Sequence, residues 1–252
     1  LSHSTIEDSL VLPDGQSTEA ADTAVSPLAL TLSWATKKPN RRGARMSAVW
    51  MTEINQGGFL GASDDAEMQA QRLNASADYI IERLELSRVR PVFRNKSDPK
   101  KDWLMYGRLV LQYATEPLIP SEQMGVGGQN TVRGYLENEV LADNGAVGTF
   151  ELRTPIRHSS RIPRWMKKDV KDRKYLDFEG TQFVFFGDAA YVTLNDALSG
   201  QEENYTLISV GPGLRFSAGE HFTARADWGF PLEETEDSSM AGRGHFSVQF
   251  LF

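Results

Sequence analysis

The sequence predicts an all-β chain of the transmembrane-barrel kind, and three observations lead there. Apolar and polar residues alternate with a period of 2, and the alternation recurs in blocks along the chain. Many blocks run about 9–11 residues, the length of a tilted membrane-crossing strand. Trp34, Trp103, Trp228 and Phe230 fall near block ends, where the aromatic girdles of such barrels sit. A water-soluble β-sandwich also alternates, so the pattern by itself leaves that architecture as the competing reading.

Nine strands follow in order, at roughly 27–36, 44–54, 78–92, 102–115, 145–157, 181–193, 205–217, 221–231 and 244–252. In the first, Leu28, Leu30, Leu32 and Trp34 alternate with Ala29, Thr31 and Ser33. In the second, Met46, Ala48, Trp50 and Ile54 oppose Arg45, Ser47 and Glu53. The third is less clean, with Leu84 and Leu86 against Arg83, Glu85 and Ser87. The fourth sets Trp103, Met105, Leu109, Leu111 and Tyr113 against Tyr106, Arg108 and Gln112. Phe150 and Leu152 of the fifth sit between Thr149, Glu151 and Arg153, and the sixth is apolar on both faces apart from Asp188. The seventh alternates Ile208, Val210, Leu214 and Phe216 with Ser209, Gly213 and Arg215; the eighth alternates Phe222, Ala224, Ala226 and Trp228 with Thr223, Arg225 and Asp227. Phe246, Val248, Phe250 and Phe252 close the chain, separated by polar residues. Residues 1–25 read as an irregular lead-in or loop.

Composition excludes several functions. The 252 residues include no cysteine, which removes disulfide frameworks, thiolate metal sites and cysteine nucleophiles together. With 27 basic against 34 acidic side chains, a net charge of −7 argues against a nucleic-acid partner. His3, His158, His221 and His245 lack metal-ligand spacing, no Gly-x-Ser-x-Gly elbow occurs, and Glu137 with Glu139 reads as a solvated pair. No catalytic, metal or cofactor site is therefore expected. No stretch approaches the ~20 apolar residues of a membrane-spanning helix, a fact that says nothing against a barrel. The chain opens at Leu1 with no basic segment leading into an apolar one, which reads as a mature fragment or a piece cut from a longer chain. Nine strands cannot close as an antiparallel barrel, because the first and last run the same way, so further strands are expected upstream.

Connections between the strands alternate short and long, as periplasmic turns and extracellular loops do. Segment 158–180 breaks the alternation and carries Arg161, Arg164, Lys167, Lys168, Lys171, Arg173 and Lys174; an ordinary solvated charge run is the simpler reading. The 29 residues of 116–144 are long enough to imply a functional loop. They hold Gly127-Gly128-Gln129-Asn130-Thr131-Val132-Arg133-Gly134-Tyr135, which lacks the Gly-Lys-Ser/Thr ending of a phosphate loop.

The run Val132-Arg133-Gly134-Tyr135 resembles the VRGF/Y motif of the Omp85 superfamily of outer-membrane barrels. The flanking Gly127-Gly128, the acidic stretch Glu137 to Leu141, and Glu151-Leu152-Arg153-Thr154-Pro155 resemble its TpsB branch, the two-partner-secretion transporters of the haemolysin type. The resemblance implies that residues 26–252 are the C-terminal portion, about nine strands, of a 16-stranded transmembrane β-barrel. It implies a loop 117–144 inserted into the lumen, with Arg133 paired to an acidic residue of a Phe-x-Asp-x-Gly motif on the wall. Phe186-Gly187-Asp188-Ala189-Ala190 matches that motif with Ala190 in place of the last Gly. Arg133 pairing with Asp188, with Glu151 as second partner, is the central expectation, and reversing both charges of the pair should restore what each single reversal loses. Phe252, with Phe250, resembles the C-terminal signal that the outer-membrane assembly machinery reads. The implied function is secretion of a partner exoprotein across the bacterial outer membrane, in a lipid bilayer, by a precursor carrying periplasmic domains upstream of this chain. An outer-membrane insertase of the same superfamily and a passive porin-like barrel are the alternatives.

Overall fold

Alternating strands of this length satisfy their backbone groups only by pairing laterally, and they do so here in one antiparallel sheet. The computed structural model describes residues 4–6, 9–11, 17–19, 23–40, 43–95, 101–156, 180–218 and 221–251, with side chains from residue 23 onward. Four short strands open the chain: β1 (Ser4–Ile6) pairs with β4 (Thr23–Val25), and β2 (Ser9–Val11) with β3 (Ser17–Glu19). The stretch expected as an irregular lead-in or loop thus carries short paired segments among its described residues. Triplets such as Ser4-Thr5-Ile6 and Thr23-Ala24-Val25 are rich in β-branched residues but too short to show alternation.

The sheet itself consists of β5 (Leu28–Ala35), β6 (Arg45–Asn55), β7 (Tyr79–Phe93), β8 (Trp103–Ala114), β11 (Asn144–Arg153), β12 (Gly180–Thr193), β13 (Asn204–Ala218), β14 (Phe222–Pro231) and β15 (Arg243–Phe250), paired in that order. Two further short strands, β9 (Met124–Val126) and β10 (Val140–Ala142), pair with each other inside the long loop. A short helix, α1 (Asp65–Gln71), lies between β6 and β7. The alternation had not announced either feature. The signal for α1 is a capping box, in which Asp64 accepts from the Glu67 amide while Glu67 accepts from the Asp64 amide.

The nine long strands fall where alternation puts them, with one clear shortening. The strand expected to reach 157 stops at Arg153, two residues before Pro155, which has no N–H to continue a ladder. The basic run from Arg157 to Lys174 and the terminal Phe252 lie outside the described residues.

Alternation gives the sheet two unlike faces. Leu28, Leu30, Trp34, Tyr113, Phe150, Phe185, Tyr191, Trp228 and Phe246 are exposed on the outer face. The inner face carries Gln112, Val147, Glu151, Val184, Phe186, Asp188, Ala190, Val192, Leu207, Ser209 and Asp227, all buried. What buries them is the loop 115–143. Its Met124, Val126, Val132, Tyr135 and Ala142 form one apolar cluster with Val147, Ala190, Val192 and Leu207 of the wall. The core thus lies between loop and sheet, not between two sheets, and a sandwich is excluded as the architecture of these residues.

Candidate functional site

Loop 115–143 leaves the end of β8, runs along the inner face and returns to β11 through the β9–β10 pair. Its tip is suspended from the wall by arginines. Arg108 of β8 donates to the Asn130 carbonyl at 3.0 Å, Arg225 of β14 to the Gln129 carbonyl at 3.0 Å, and Gln129 Nε2 to Ser247 Oγ of β15 at 3.0 Å. Strands β8 and β15 thus reach two adjacent residues of the loop, so the sheet curves around it.

The motif residues occupy the centre of this arrangement. Arg133 is 1% exposed, and Val132 and Tyr135 are wholly buried. Arg133 Nε donates to Asp188 Oδ2 at 2.7 Å, Nη2 to Asp188 Oδ1 at 2.8 Å, and the Arg133 backbone N–H to Oδ2 at 3.2 Å. The fork geometry matches one carboxylate with two parallel bonds, which a lysine could not do. Nη1 donates to Glu151 Oε1 at 2.7 Å and lies 3.6 Å from Asp227 Oδ2. The guanidinium carbon rests 3.5 Å from the centre of the Phe186 ring, a cation–π contact stacked on the inner wall. Strand register explains the convergence. Thr149 lies opposite Asp188 and Glu151 opposite Phe186, so alternate residues of β11 and β12 present both carboxylates and the ring to one point.

Sequence reasoning missed Asp227. It lies on the inner face of β14, receiving Arg215 Nη1 at 2.6 Å and Arg225 Nε at 2.5 Å. Its signal was present, since Arg225 and Asp227 share the polar parity of their strand. Glu151 is similarly shared among Arg133, Arg153 Nη2 at 2.7 Å and Arg215 Nη2 at 3.4 Å. Four arginines and three carboxylates thus form one network, in which Asp188 alone depends on Arg133 for every hydrogen bond described.

Gly134 and Tyr135 complete the docking. Gly134 adopts φ +100°, and a Cβ there would lie 2.7 Å from the Gly229 carbonyl carbon, so two glycines allow the loop and β14 backbones to touch. The Gly134 N–H donates to His245 Nε2 at 2.9 Å. The Tyr135 hydroxyl lies 2.9 Å from the Glu233 carbonyl and 3.1 Å from that of Ile208, tying the loop to β13 and the 232–242 connection. Burial raises the pKa of this phenol, which stays a donor. Farther along, Glu139 accepts from the Leu136 N–H at 2.7 Å and from the Thr235 and Ser238 hydroxyls.

A further buried carboxylate holds the opposite end of the loop. Asp143 accepts both Nη atoms of Arg72 at 2.6 and 3.0 Å, the Leu118 and Asn195 backbone N–H groups at 2.9 and 2.7 Å, and Gln123 Nε2 at 3.1 Å. It clamps three connections of that end, 56–78, 115–143 and 194–203. Phe250, named with Phe252, faces outward on β15 and packs edge-on against Phe222 at 5.0 Å.

A curved antiparallel sheet with an apolar aromatic exterior, a polar interior and a long loop locked inside it is the fold of an outer-membrane β-barrel. Solved barrels share it: CdiB from Acinetobacter baumannii (TM-score 0.60, 18% identity, covering 91% of this chain and 34% of that one) and CdiB from Escherichia coli (TM-score 0.64, 16% identity, 93% and 37%). The chain spans about a third of the length of those structures. No curated protein matches it. Residues 42–167, half of the chain, match the family described as haemolysin secretion/activation protein ShlB/FhaC/HecB. The chain belongs to that family, the TpsB transporters of the bacterial outer membrane.

Proposed function

We propose that this chain is part of a pore that secretes a partner exoprotein in extended form, and that the loop 117–144 sets whether the lumen is blocked or open. The observation that carries the reading is the lock of Arg133 on Asp188 and Glu151 at 2.7–2.8 Å, made by a loop crossing the inner face. Such a lock has two discrete states, docked and released. Its strength is concentrated in charge pairs that a passing polypeptide, or the barrel's own strain, can exchange one for another. The pore acts without catalysis; transport draws on folding of the exported chain outside. The long connections 56–78, 115–143 and 194–203 face the cell exterior in this reading, and β15 ends on the periplasmic side, where upstream periplasmic domains receive the substrate. Phe250 and Phe252 serve recognition by the outer-membrane assembly machinery.

The test uses the full-length protein with its cognate exoprotein in cells. Arg133→Ala is expected to keep the barrel folded and in the outer membrane while secreted exoprotein falls at least about tenfold, because a loop no longer held in its docked state cannot switch the lumen between two discrete states. Normal secretion by Arg133→Ala would overturn the role given to the loop. Loss of outer-membrane barrel assembly in general, with secretion unchanged, would point to an insertase.

A further inference from the structure

The bilayer side of the sheet contains an apolar recess of about 650 Å³. Its floor is Gly107, Gly148 and Gly187 with Ala189, and Leu109 and Phe150 stand beside them. Register makes these neighbours: Gly148 lies opposite Leu109 and Ala189, and Phe150 opposite Gly107 and Gly187. Nothing inside the fold requires the three glycines. A Cβ added at any of them would meet no atom nearer than 3.8 Å, and none has a positive φ. Glycine in the interior of a strand weakens it, and it often marks the close approach of something else.

Arg88 lines the same recess, and the charge there is uncompensated. The luminal arginines Arg83, Arg108, Arg153, Arg215 and Arg225 each have a carboxylate partner. Arg88 has none among the described residues. Arg90 shares its face by alternation and buries an Nε with no hydrogen-bond partner. Glu82 on the same face is six residues from Arg88, roughly 20 Å along the strand, and is engaged by Trp50 Nε1 at 2.6 Å and Thr52 Oγ1 at 2.8 Å. A cation facing lipid is tolerable near the interface, and aromatic side chains mark that level here: Trp34 lines the recess, and Phe93 meets Trp103 edge-on at 6.2 Å at the same end of the sheet.

We propose that the recess is a phospholipid site, with an acyl chain lying over Gly107, Gly148 and Gly187 and the phosphodiester taken by Arg88 and Arg90. Guanidinium matches phosphate with paired, charge-assisted hydrogen bonds, and the lipid supplies the anion that the protein omits. A second copy of the chain is the poorer occupant, because a two-fold contact through this face would bury Arg88 of both copies in an apolar recess whose outward-facing lining offers no carboxylate.

Native mass spectrometry of the delipidated full-length protein, titrated with phosphatidylglycerol, tests the site. The wild type is expected to retain one tightly held phosphatidylglycerol and no diacylglycerol, which has the chains without the phosphate. Arg88→Gln with Arg90→Gln should raise the half-occupancy concentration about tenfold. Gly148→Leu should do the same with both arginines intact, by filling the chain's place. Heat-modifiable migration on gels verifies folding of each variant, and if the glutamine pair fails to fold, Gly148→Leu carries the test. Equal retention by both variants, equal retention of diacylglycerol, preference for lipid A over phosphatidylglycerol, or dimerisation through this face in place of lipid would each overturn the proposal.

Discussion

Removing Arg133 should do more harm than removing Asp188, and removing both should do less harm than removing Arg133 alone. The asymmetry follows from who else is present. In Arg133→Ala, Glu151 keeps Arg153 and Arg215, and Asp227 keeps Arg215 and Arg225. Asp188, 2% exposed, loses all three of its hydrogen bonds and becomes a buried charge without a partner. Breaking a buried pair in this way costs about 3–5 kcal/mol. In Asp188→Ala the guanidinium keeps Glu151 at 2.7 Å and Asp227 at 3.6 Å, so the loss is about 1–2 kcal/mol. The double variant has no orphan and should fall near about 2 kcal/mol. Because each 1.4 kcal/mol is a factor of ten, about 3 kcal/mol raises the undocked population of the loop roughly 150-fold. Hydrogen exchange of the Val132 and Tyr135 amides in the full-length protein reads that population directly. The expected order of exchange is Arg133→Ala fastest, then the double variant, then Asp188→Ala. If the two single effects simply add within about 0.5 kcal/mol, the pairing does not hold the loop. Reversing both charges is a weaker test than the sequence suggested, since an Asp at position 133 would face Glu151 and Asp227.

Three further outcomes are expected. Gly229→Ala should undock the motif as effectively as a charge deletion, because its Cβ would come within 2.5 Å of the Arg133 carbonyl; unchanged protease resistance of the loop would contradict this close approach. Asp143→Asn replaces an acceptor of five hydrogen bonds with a group that must donate. It should loosen connections 56–78, 115–143 and 194–203 together by about 2–3 kcal/mol, seen as concerted faster exchange in all three, whereas loosening of one alone would refute the clamp. Burial, and then the charge of Glu53, raise the pKa of Glu122 in the loop, so between its ordinary value near 4.5 and the raised one the docked loop binds more protons than the free loop. Docking should therefore weaken as pH rises through that window, and Glu122→Gln should abolish the change in exchange rate; a pH response unaltered in the variant would rule this group out.

The sheet was legible because every strand repeats one simple statement, that alternate residues face different solvents. The locking residues were legible for a related reason, since Asp188 is the lone charge in the apolar block 181–193 and Glu151 has inward parity. Asp227 was overlooked because its strand already carries Arg225, and an isolated charge stands out where a paired one does not. The β9–β10 pair and the Asp143 clamp could not be read at all. Both depend on the loop's tertiary path, which brings Arg72, Leu118 and Asn195 to one carboxylate from positions up to 123 residues apart. Helix α1 lay between these cases, its capping box visible in Asp64 and Glu67 but only seven residues long.

The tip of the loop is fastened at once to β8 and to β14 and β15, strands four and five places apart around the sheet. Mechanically it is a strut across the concave side of the sheet, fixing the distance between the strands at its two ends as well as filling the space between them. Widening the bore must stretch that strut, and a few short ion pairs stretch very little before they part. For the pore proposed above, changes of bore width and departure of the loop are therefore a single event, and its conductance should change in steps where an unbraced cylinder would show a continuum.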